Sequence, residues 1–472
     1  MAAEAHMYEK ESSGIEIYPP SEANGDFSDY TLKDENQHEV FKKEEGKVDF
    51  RTTGWLRASG IMIKVQFALG VLNIPSNLYV LGALPGSLVI VGYAFLNTYN
   101  GVLFGDFKLR HPGIYDVKDV AYVVGGPVLR EIMAALYMIG CAFCVASSCV
   151  GLSVAFNSLS HHAACSVWWS FMSMMVIAVG ASFRKFHTIG WLTWAGFLSM
   201  YVSVFIVVVA VTTLSRPVAA PQTGPYDLGY HVIGNPTFET GMTAVTGIFV
   251  SGAGAPMNIQ VISEMRKPAD YRKALYLCNV IVNASYLTFG LVIYRWCGKW
   301  VASPSLGSAG QTIKMVSYGI ALIGLFVGAI VYLHLAAKML FVRILRDSKH
   351  LQSNSVIHWT VWLASTFGIC AIGFILGEAI PIFNYLIALT GSICFAPLSL
   401  CLPPAAWLLD YWGYWKGTFW QKMFWAAQVI SFLCGCLVIV GGTYGTVKQI
   451  VQAYADGTIG KAFDCADNSN SS

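Results

Sequence analysis

Long apolar runs with almost no charge recur along this chain, and 65–82 and 195–211 are two clear examples. A run of about twenty apolar residues, wound as a helix, spans the hydrocarbon core of a bilayer, which is roughly 30 Å thick. Backbone N–H and C=O groups in lipid need partners within the protein, so only helices or closed barrels are stable there. The alternating strands of about ten residues that build barrels do not occur in this sequence. The runs therefore predict an all-α polytopic membrane protein.

Composition agrees with this prediction. Only 12% of the 472 residues are charged and 55% are hydrophobic, whereas a soluble domain carries about 25% charged residues. So few charges do not cover a water-facing surface, which argues against a soluble globular fold. The net charge of +3 gives no reason to expect nucleic acid as a partner. Membrane lipid is the expected surrounding, and the oligomeric state stays open.

About eleven spans can be drawn from the apolar runs and the residues between them. They lie at 58–81, 84–104, 129–156, 166–183, 188–213, 240–263, 274–297, 317–341, 357–378, 381–402 and 422–446. This pattern predicts three parts, namely a polar and disordered cytosolic tail, a transmembrane domain and a short polar C-terminal tail, at 1–55, 56–446 and 447–472. Pro397, Pro403 and Pro404 predict that the tenth helix ends between 397 and 407.

The distribution of positive charge predicts the orientation. Of the 30 Lys and Arg residues, 23 fall at the ends and loops that share a side with the N-terminus, and six fall on the other side. Cytosolic loops carry the excess of positive charge in membrane proteins. We therefore expect a cytosolic N-terminus. The plasma membrane is the favoured location, with the vacuolar membrane as the alternative.

The first span contains a helix-breaking pattern. Pro75 lacks the amide hydrogen that would bond to the carbonyl of Val71, and its ring clashes with that carbonyl. Gly70 lowers the cost of leaving helical dihedrals. Together these residues predict an interruption of the helix around 70–74.

The sixth span contains a second pattern of this kind, because Gly252, Gly254 and Pro256 lie near its middle. The two interrupted spans are five spans apart, so they run in opposite directions through the membrane. A 5 + 5 inverted repeat places them in corresponding positions. A proline kink in each helix is the simpler alternative, since such kinks are common in membrane helices.

Broken helices offer a binding site for a zwitterion. The N-terminus of a half-helix carries partial positive charge and free N–H groups, which suit a carboxylate. Unwound carbonyls and half-helix C-termini suit a cation or an ammonium group. An α-amino acid matches both ends at once, so a transporter with an amino acid substrate is the favoured interpretation.

Three segments carry a resemblance to a known family: Gly-Val-Leu-Asn-Ile-Pro at 70–75, His-Pro-Gly-Ile-Tyr-Asp at 111–116 and Glu-Met-Arg-Lys-Pro at 264–268. In this order they resemble the amino acid/auxin permease family, and within it the fungal permeases for neutral and aromatic amino acids. The resemblance covers about 55–445. It implies a LeuT-like fold of eleven helices, of which the first ten form two inverted halves, and amino acid uptake that is usually coupled to protons.

The resemblance also implies which residues line the substrate site. By position these are Gly70, Val71, Leu72 and Asn73 in the first helix, and Ser251, Gly252, Ala253 and Gly254 in the sixth. Asn73 departs from the small Ser or Thr that many family members have there. Its amide adds a hydrogen bond to the substrate or narrows the pocket.

Several ionisable residues within the spans are candidates for coupling or gating. Lys64 lies about two turns before the predicted break, where a cation costs about 3 kcal/mol at mid-span, and the alternative is that it snorkels to the interface. Glu264 is a gate residue or a solvated charge, and His334 is a proton relay or a satisfied core histidine. Tyr286 and Tyr332 hydrogen-bond across helices or simply pack.

These features predict a secondary active transporter of neutral amino acids, aromatic ones included, that works by proton symport and alternating access. A non-transporting amino acid sensor of the same fold and a sodium-coupled carrier are the alternatives. The catalytic motifs of hydrolases, metalloenzymes and nucleotide-binding enzymes do not occur, so we expect neither an enzyme nor a cofactor, with the proton gradient as driving force. The twelve cysteines are scattered, many of them in apolar runs as small hydrophobes, and no metal site is expected.

Overall fold

The structure is a computed structural model that describes residues 51–67, 70–111, 113–183, 186–346, 348–351, 353–380, 383–456 and 462–468. Most of the predicted N-terminal tail, residues 1–50, lies outside the described residues. Among the described residues the secondary structure is helical apart from one isolated bridge between Thr53 and Met265.

Each predicted span coincides with a helix or with two half-helices. The first half of the repeat comprises α1a (Trp55–Gln66), α1b (Gly70–Leu81), α2 (Ala83–Arg110), α3 (Val117–Ser160), α4 (Ser166–Ala181) and α5 (Phe186–Thr213). The second half comprises α6a (Phe238–Ser251), α6b (Ala255–Ser263), α7 (Tyr271–Cys297), α8 (Gln311–Leu345), α9 (Val356–Ala379), α10a (Phe383–Phe395) and α10b (Pro397–Asp410), and α11 (Phe419–Ala455) follows it.

The lengths of these helices confirm the polytopic membrane fold. In the described part of the chain, eight helices are individually long and apolar enough to cross a bilayer, and two bent pairs bring the number to ten. α4 has 16 residues and matches the remaining predicted span. α11 continues to Ala455, nine residues past the end drawn from hydropathy at 446.

The break in the first span lies earlier than predicted. α1b is helical from Gly70, and α1a ends at Gln66, with a bend of 45° between them. Pro75 lies inside α1b, where it removes only one backbone hydrogen bond. Leaving the helix after Gln66 frees several carbonyls at once, and this is stable because distant side chains donate to them, as shown below. The predicted interruption at 70–74 is therefore wrong by several residues.

The predicted end of the tenth helix is also wrong, because the helix continues to Asp410. Pro403 and Pro404 fall in the first turn of its last α-helical segment, where a backbone N–H is not needed. Pro397 opens a π-helical turn, and the two halves meet at a bend of 41°. The prolines thus bend and widen the helix without ending it.

The two interrupted helices lie at the centre of the bundle. Inside the protein, 89% of the most apolar stretch of α6 is buried, and 83% of that of α3. The corresponding value for α11 is only 22%. α1b packs along α6a, and α8 packs against α3 and α5. The breaks in α1 and α6 are therefore surrounded by protein, and α11 faces the lipid.

A disulfide that the sequence did not suggest joins Cys165, before α4, to Cys465 in the C-terminal segment. The segment 462–468 is further held by backbone and side-chain hydrogen bonds. Ser166 Oγ donates to the Ala466 carbonyl at 2.6 Å, and Asn468 Nδ2 donates to Ser153 Oγ at 3.2 Å. The segment 462–468 is thus bonded to α3, to α4 and to the residue before α4.

Candidate functional site

The C-terminal end of α1a is capped by tyrosines from two other helices. Tyr332 on α8 donates its hydroxyl hydrogen to the carbonyl of Val65 at 2.5 Å. Tyr286 on α7 lies 2.7 Å from the carbonyl of Gln66. Helix C-termini leave carbonyls without intrahelical partners, so these side chains replace the hydrogen bonds that the break removes.

The next carbonyl is bonded by a lysine. Lys64 is completely buried, and its Nζ donates to the carbonyl of Phe67 at 3.3 Å. The ammonium group therefore lies at the negative end of the α1a dipole and does not reach the interface. The snorkelling alternative is wrong.

The α6 break falls where the sequence places it. α6a ends at Ser251, Gly252 and Gly254 flank the turn, and α6b begins at Ala255 with Pro256 in its first turn. Ser251 Oγ lies 2.8 Å from the Gly247 carbonyl and 3.4 Å from the Gly70 carbonyl. The start of α1b and the end of α6a are thus in direct contact.

Gly70 is required by this contact. A Cβ atom at position 70 would lie 2.6 Å from the Cβ of Ser251 and 2.7 Å from the Tyr286 hydroxyl oxygen. Real Cβ atoms essentially never approach so closely, and the neighbour is the end of a packed helix. Only glycine lets the two breaks approach to this distance.

A cavity lies beside the meeting point of the two breaks. It is small, with about 40 Å³ of space open to water molecules. Its walls come from α1, α3, α6a, α8 and α10a, and its described lining residues are Val65, Gln66, Gly70, Cys144, Ser147, Val250, Ser251, Tyr332, Ile387 and Thr390. None of these carries a charged side chain, so the cavity suits an uncharged group on its ligand.

A buried ion pair lies at the end of α6b that is farther from the break. Glu264 and Lys338 of α8 are 2.5 Å apart, and each side chain is 1% exposed. Tyr115 donates to the same carboxylate oxygen at 3.3 Å. Glu264 is therefore not a solvated interface charge, and its partner is Lys338, although Arg266 and Lys267 are closer in sequence.

The first turn of α3 and the loop before it extend this network across the end of the bundle where α1a begins, here called the N-terminal face. Asp119 pairs with Arg346 at 2.9 Å, and Arg346 also donates to the Gly113 carbonyl at 2.9 Å. The backbone N–H of Thr53 donates to the Glu264 carbonyl at 3.1 Å. The N-terminal face is thus closed by contacts that join the start of α1a, the end of α6b, the α2–α3 loop and α8.

The comparisons with known proteins identify the family. The model of the family described as transmembrane amino acid transporter protein matches residues 51–448. A transmembrane transporter of Gibberella moniliformis is 43% identical over 464 residues, which cover 97% of this chain and 98% of that protein. The chain belongs to the transmembrane amino acid transporter family.

More distant similarities agree with this assignment. The N amino acid transport system protein of Neurospora crassa is 26% identical over 432 residues and covers 90% of both chains. The solved structure of Mhp1, a nucleobase-cation-symport-1 family transporter, matches with a TM-score of 0.55 at 14% identity, covering 92% of this chain and 99% of its own. MhsT, solved in complex with L-phenylalanine, matches with a TM-score of 0.54 at 11% identity. The match covers 84% of this chain and 100% of the MhsT chain.

These structural neighbours show the LeuT-like fold, which confirms the predicted architecture, and the membership confirms the family resemblance. The protein is a multi-pass membrane transporter, and its family and fold are those of transporters and not of enzymes. Family membership also implies a substrate of the amino acid type.

The structure of this transmembrane amino acid transporter places the predicted site residues in two groups. Gly70 and Ser251 line the cavity. The others are buried at or beside the breaks but are not among its lining residues, namely Val71, Leu72, Asn73, Gly252, Ala253 and Gly254. Asn73 faces α6a, because a Cβ at Gly247 would lie 2.9 Å from its amide nitrogen.

His334 lies away from the cavity of the transporter. It is fully buried on α8, and its ring makes an edge contact with Trp362, with centroids 5.3 Å apart. Its ring also interacts with the backbone of Ala181 and Phe183 at the end of α4. These contacts match the alternative of a core histidine that links α4, α8 and α9.

Four lining residues were not predicted individually from the sequence. Cys144 and Ser147 face the cavity from α3, and Ile387 and Thr390 face it from α10a. For Ser147 and Thr390, the only indication in the sequence was a hydroxyl group within an apolar span. Many hydroxyl groups in the spans only hydrogen-bond to the backbone of their own helix, so this indication is not specific. Thr390 is one of these, since its hydroxyl also donates to the Leu386 carbonyl at 2.6 Å.

Proposed function

We propose that this protein is a secondary active transporter that imports neutral amino acids together with protons, by alternating access around the breaks in α1 and α6. The observation that carries the proposal is the buried Lys64, whose ammonium group occupies the carbonyl end of α1a and which precedes the cavity-lining residue Val65. A helix end of this kind attracts a cation, and here a protein side chain supplies it.

The cavity supports the choice of substrate class. The backbone ends of α1a and α6a provide carbonyls for an ammonium group, and the first turn of α1b provides N–H groups for a carboxylate. The substrate side chain then lies among uncharged residues of α3, α8 and α10a, such as Ser147 and Ile387. This surrounding favours neutral side chains, aromatic ones included, because an unpaired charge would be buried there.

Lys64 supports coupling to protons in preference to sodium. Lysine, unlike arginine, can give up its proton in a protein interior. The ammonium group of Lys64 already supplies a positive charge at this helix end, so a sodium ion would gain little by binding there. The proton gradient is then the driving force, and no cofactor takes part.

The ionic network supports the N-terminal face as the closed side of the cycle. Opening toward that side requires separation of α6b from α8 at Glu264 and Lys338, together with release of the first turn of α3 at Asp119 from Arg346. We assign Glu264 to this gate and His334 to packing.

Two features support the proposed orientation in the membrane. The excess of Lys and Arg on the N-terminal side favours a cytosolic N-terminus. A disulfide between Cys165 and Cys465 belongs in an oxidising compartment, which supports the assignment of both cysteines to the far side of the membrane. The plasma membrane fits this assignment, and the lumen of the vacuole is the alternative.

Uptake of labelled L-phenylalanine and L-leucine into proteoliposomes tests the function. We expect accumulation above the external concentration with a pH gradient alone, in the absence of sodium, and collapse of this accumulation on addition of a protonophore. Accumulation driven only by sodium would replace protons with sodium in the proposal. Binding without any accumulation would make the protein an amino acid sensor.

Lys64→Met tests the coupling role. We expect the variant to keep downhill exchange of substrate but to lose accumulation driven by the pH gradient, because the titratable ammonium group is gone while the length of the side chain is retained. Lys273→Met is the matched control, since this lysine is 67% exposed on α7. If Lys64→Met accumulated substrate as strongly as Lys273→Met, Lys64 would have no part in coupling.

A further inference from the structure

Tyr286 makes a contact that none of the other described tyrosines makes. Its hydroxyl oxygen lies 2.7 Å from the carbonyl of Gln66 and 2.9 Å from the carbonyl of Ser251. Gln66 is the last residue of α1a and Ser251 is the last residue of α6a. One side chain on α7 therefore reaches the carbonyl ends of both interrupted helices.

The ring of Tyr286 is held firmly in this position. It is 2% exposed, and it stacks on Phe67 with centroids 5.9 Å apart and an angle of 15° between the planes. Its hydroxyl also fills the space that a Cβ at Gly70 would need. The location of the hydroxyl is thus determined by packing from both sides of the α1 break.

A phenol has a single hydrogen to donate, whereas two carbonyls are within reach. The hydroxyl therefore bonds to one of them at a time and leaves the other able to accept from a different donor. Both Gln66 and Ser251 line the cavity, and Tyr286 is not among its lining residues. An ammonium group that enters the cavity can supply the second donor while the tyrosine keeps the first bond.

We propose that Tyr286 is a positioning residue that donates to one of the two carbonyl ends from behind the cavity and leaves the other to accept from the substrate's ammonium group. This inference rests on the proposed amino acid substrate. It assigns to one hydroxyl the task of satisfying either the carbonyl end of α1a or that of α6a, so that the other carbonyl end stays open to the substrate.

The test compares two variants of the purified full chain that each remove one hydroxyl from α7. Tyr286→Phe removes the shared donor. Tyr294→Phe is the matched control, because Tyr294 is also buried on α7 but bonds to the backbone of His231 in a connecting segment, at 3.1 Å. Binding of L-phenylalanine and L-leucine is measured in detergent, and uptake is measured in proteoliposomes.

We expect Tyr286→Phe to weaken binding and to raise KM by about tenfold, which corresponds to the loss of one hydrogen bond, with the maximal uptake rate per inserted molecule changed by less than about twofold. Tyr294→Phe should leave KM unchanged, even where it lowers thermal stability. Equal KM values for the two variants would overturn the proposal, as would a loss confined to the maximal rate. Because binding is measured separately, a chain that binds but does not transport would refute transport and still decide the role of Tyr286.

If Tyr286→Phe does not insert into the membrane, 3-fluorotyrosine at position 286 provides the second test. This residue keeps the ring and the hydroxyl, and its more acidic hydroxyl is a stronger donor. We expect tighter binding of both amino acids in this variant. Unchanged binding would contradict the proposed role.

Discussion

Gly70→Ala is expected to reach the membrane and to lose about a hundredfold or more of its uptake rate. The added methyl group would lie 2.6 Å from the Cβ of Ser251, 2.9 Å from the Cα of the same residue and 2.7 Å from the Tyr286 hydroxyl. Backbone at the end of α6a cannot yield as a flexible side chain can, so α1b must shift away from α6a. A displacement of about 1 Å at a reacting site can cost about a hundredfold, and the substrate site lies at this contact.

Two other glycines provide controls in which the added methyl group meets less steric hindrance than at Gly70. Gly92→Ala on α2 adds a methyl group where nothing lies within 4 Å, so its uptake should equal that of the wild type. Gly254→Ala would meet the side chain of Gln66 at 2.9 Å, and this side chain can move, so an intermediate loss is expected. Uptake normalised to the amount of inserted protein provides the measurement. Wild-type uptake by Gly70→Ala would show that the two breaks need not touch.

Glu264→Gln and Lys338→Met are each expected to destabilise the protein by about 3–5 kcal/mol, since removing one partner leaves the other as an uncompensated buried charge. The pair is 2.5 Å apart and both side chains are 1% exposed, so water does little to solvate the remaining group. Thermal unfolding in detergent measures the effect. Asp227→Asn is the control, because its pair with Lys299 is exposed and exposed pairs contribute little to stability.

The double variant Glu264→Gln/Lys338→Met separates stability from gating. With both charges gone, most of the lost stability should return, since neutral groups can replace a buried ion pair with little cost. Accumulation of substrate should stay low, because the closed N-terminal face is no longer held by the ion pair. Full recovery of both properties would assign the pair to folding alone and would remove it from the gate.

Local sequence signals were sufficient for the spans and for the break in α6. Runs of apolar residues locate each helix, because length and hydropathy are all that a bilayer requires. Gly252, Gly254 and Pro256 act on the backbone directly, so the interruption falls where they stand. Local signals failed in α1, where Pro75 is accommodated inside the helix and the chain leaves the helix after Gln66.

The reason for that failure is that the α1 break depends on tertiary contacts. Its carbonyls are bonded by Tyr286 and Tyr332, which lie 220 and 267 positions from the residues they bond. The cavity wall from α3 and α10a, including Cys144 and Thr390, depends in the same way on how distant helices meet. The partner of Glu264 could not be chosen from sequence either, because several lysines and arginines lie at the same end of the bundle.

The bond between Cys165 and Cys465 closes a covalent ring, since the two residues are 300 positions apart. The ring contains every helix from α4 to α11, and the chain from α1a to α3 leaves it at one point. A protease that cuts one connecting segment between these helices would open the ring without releasing a fragment, and the two pieces would separate only after reduction. The covalent path through α4 to α11 is therefore double, and that through α1, α2 and α3 is single.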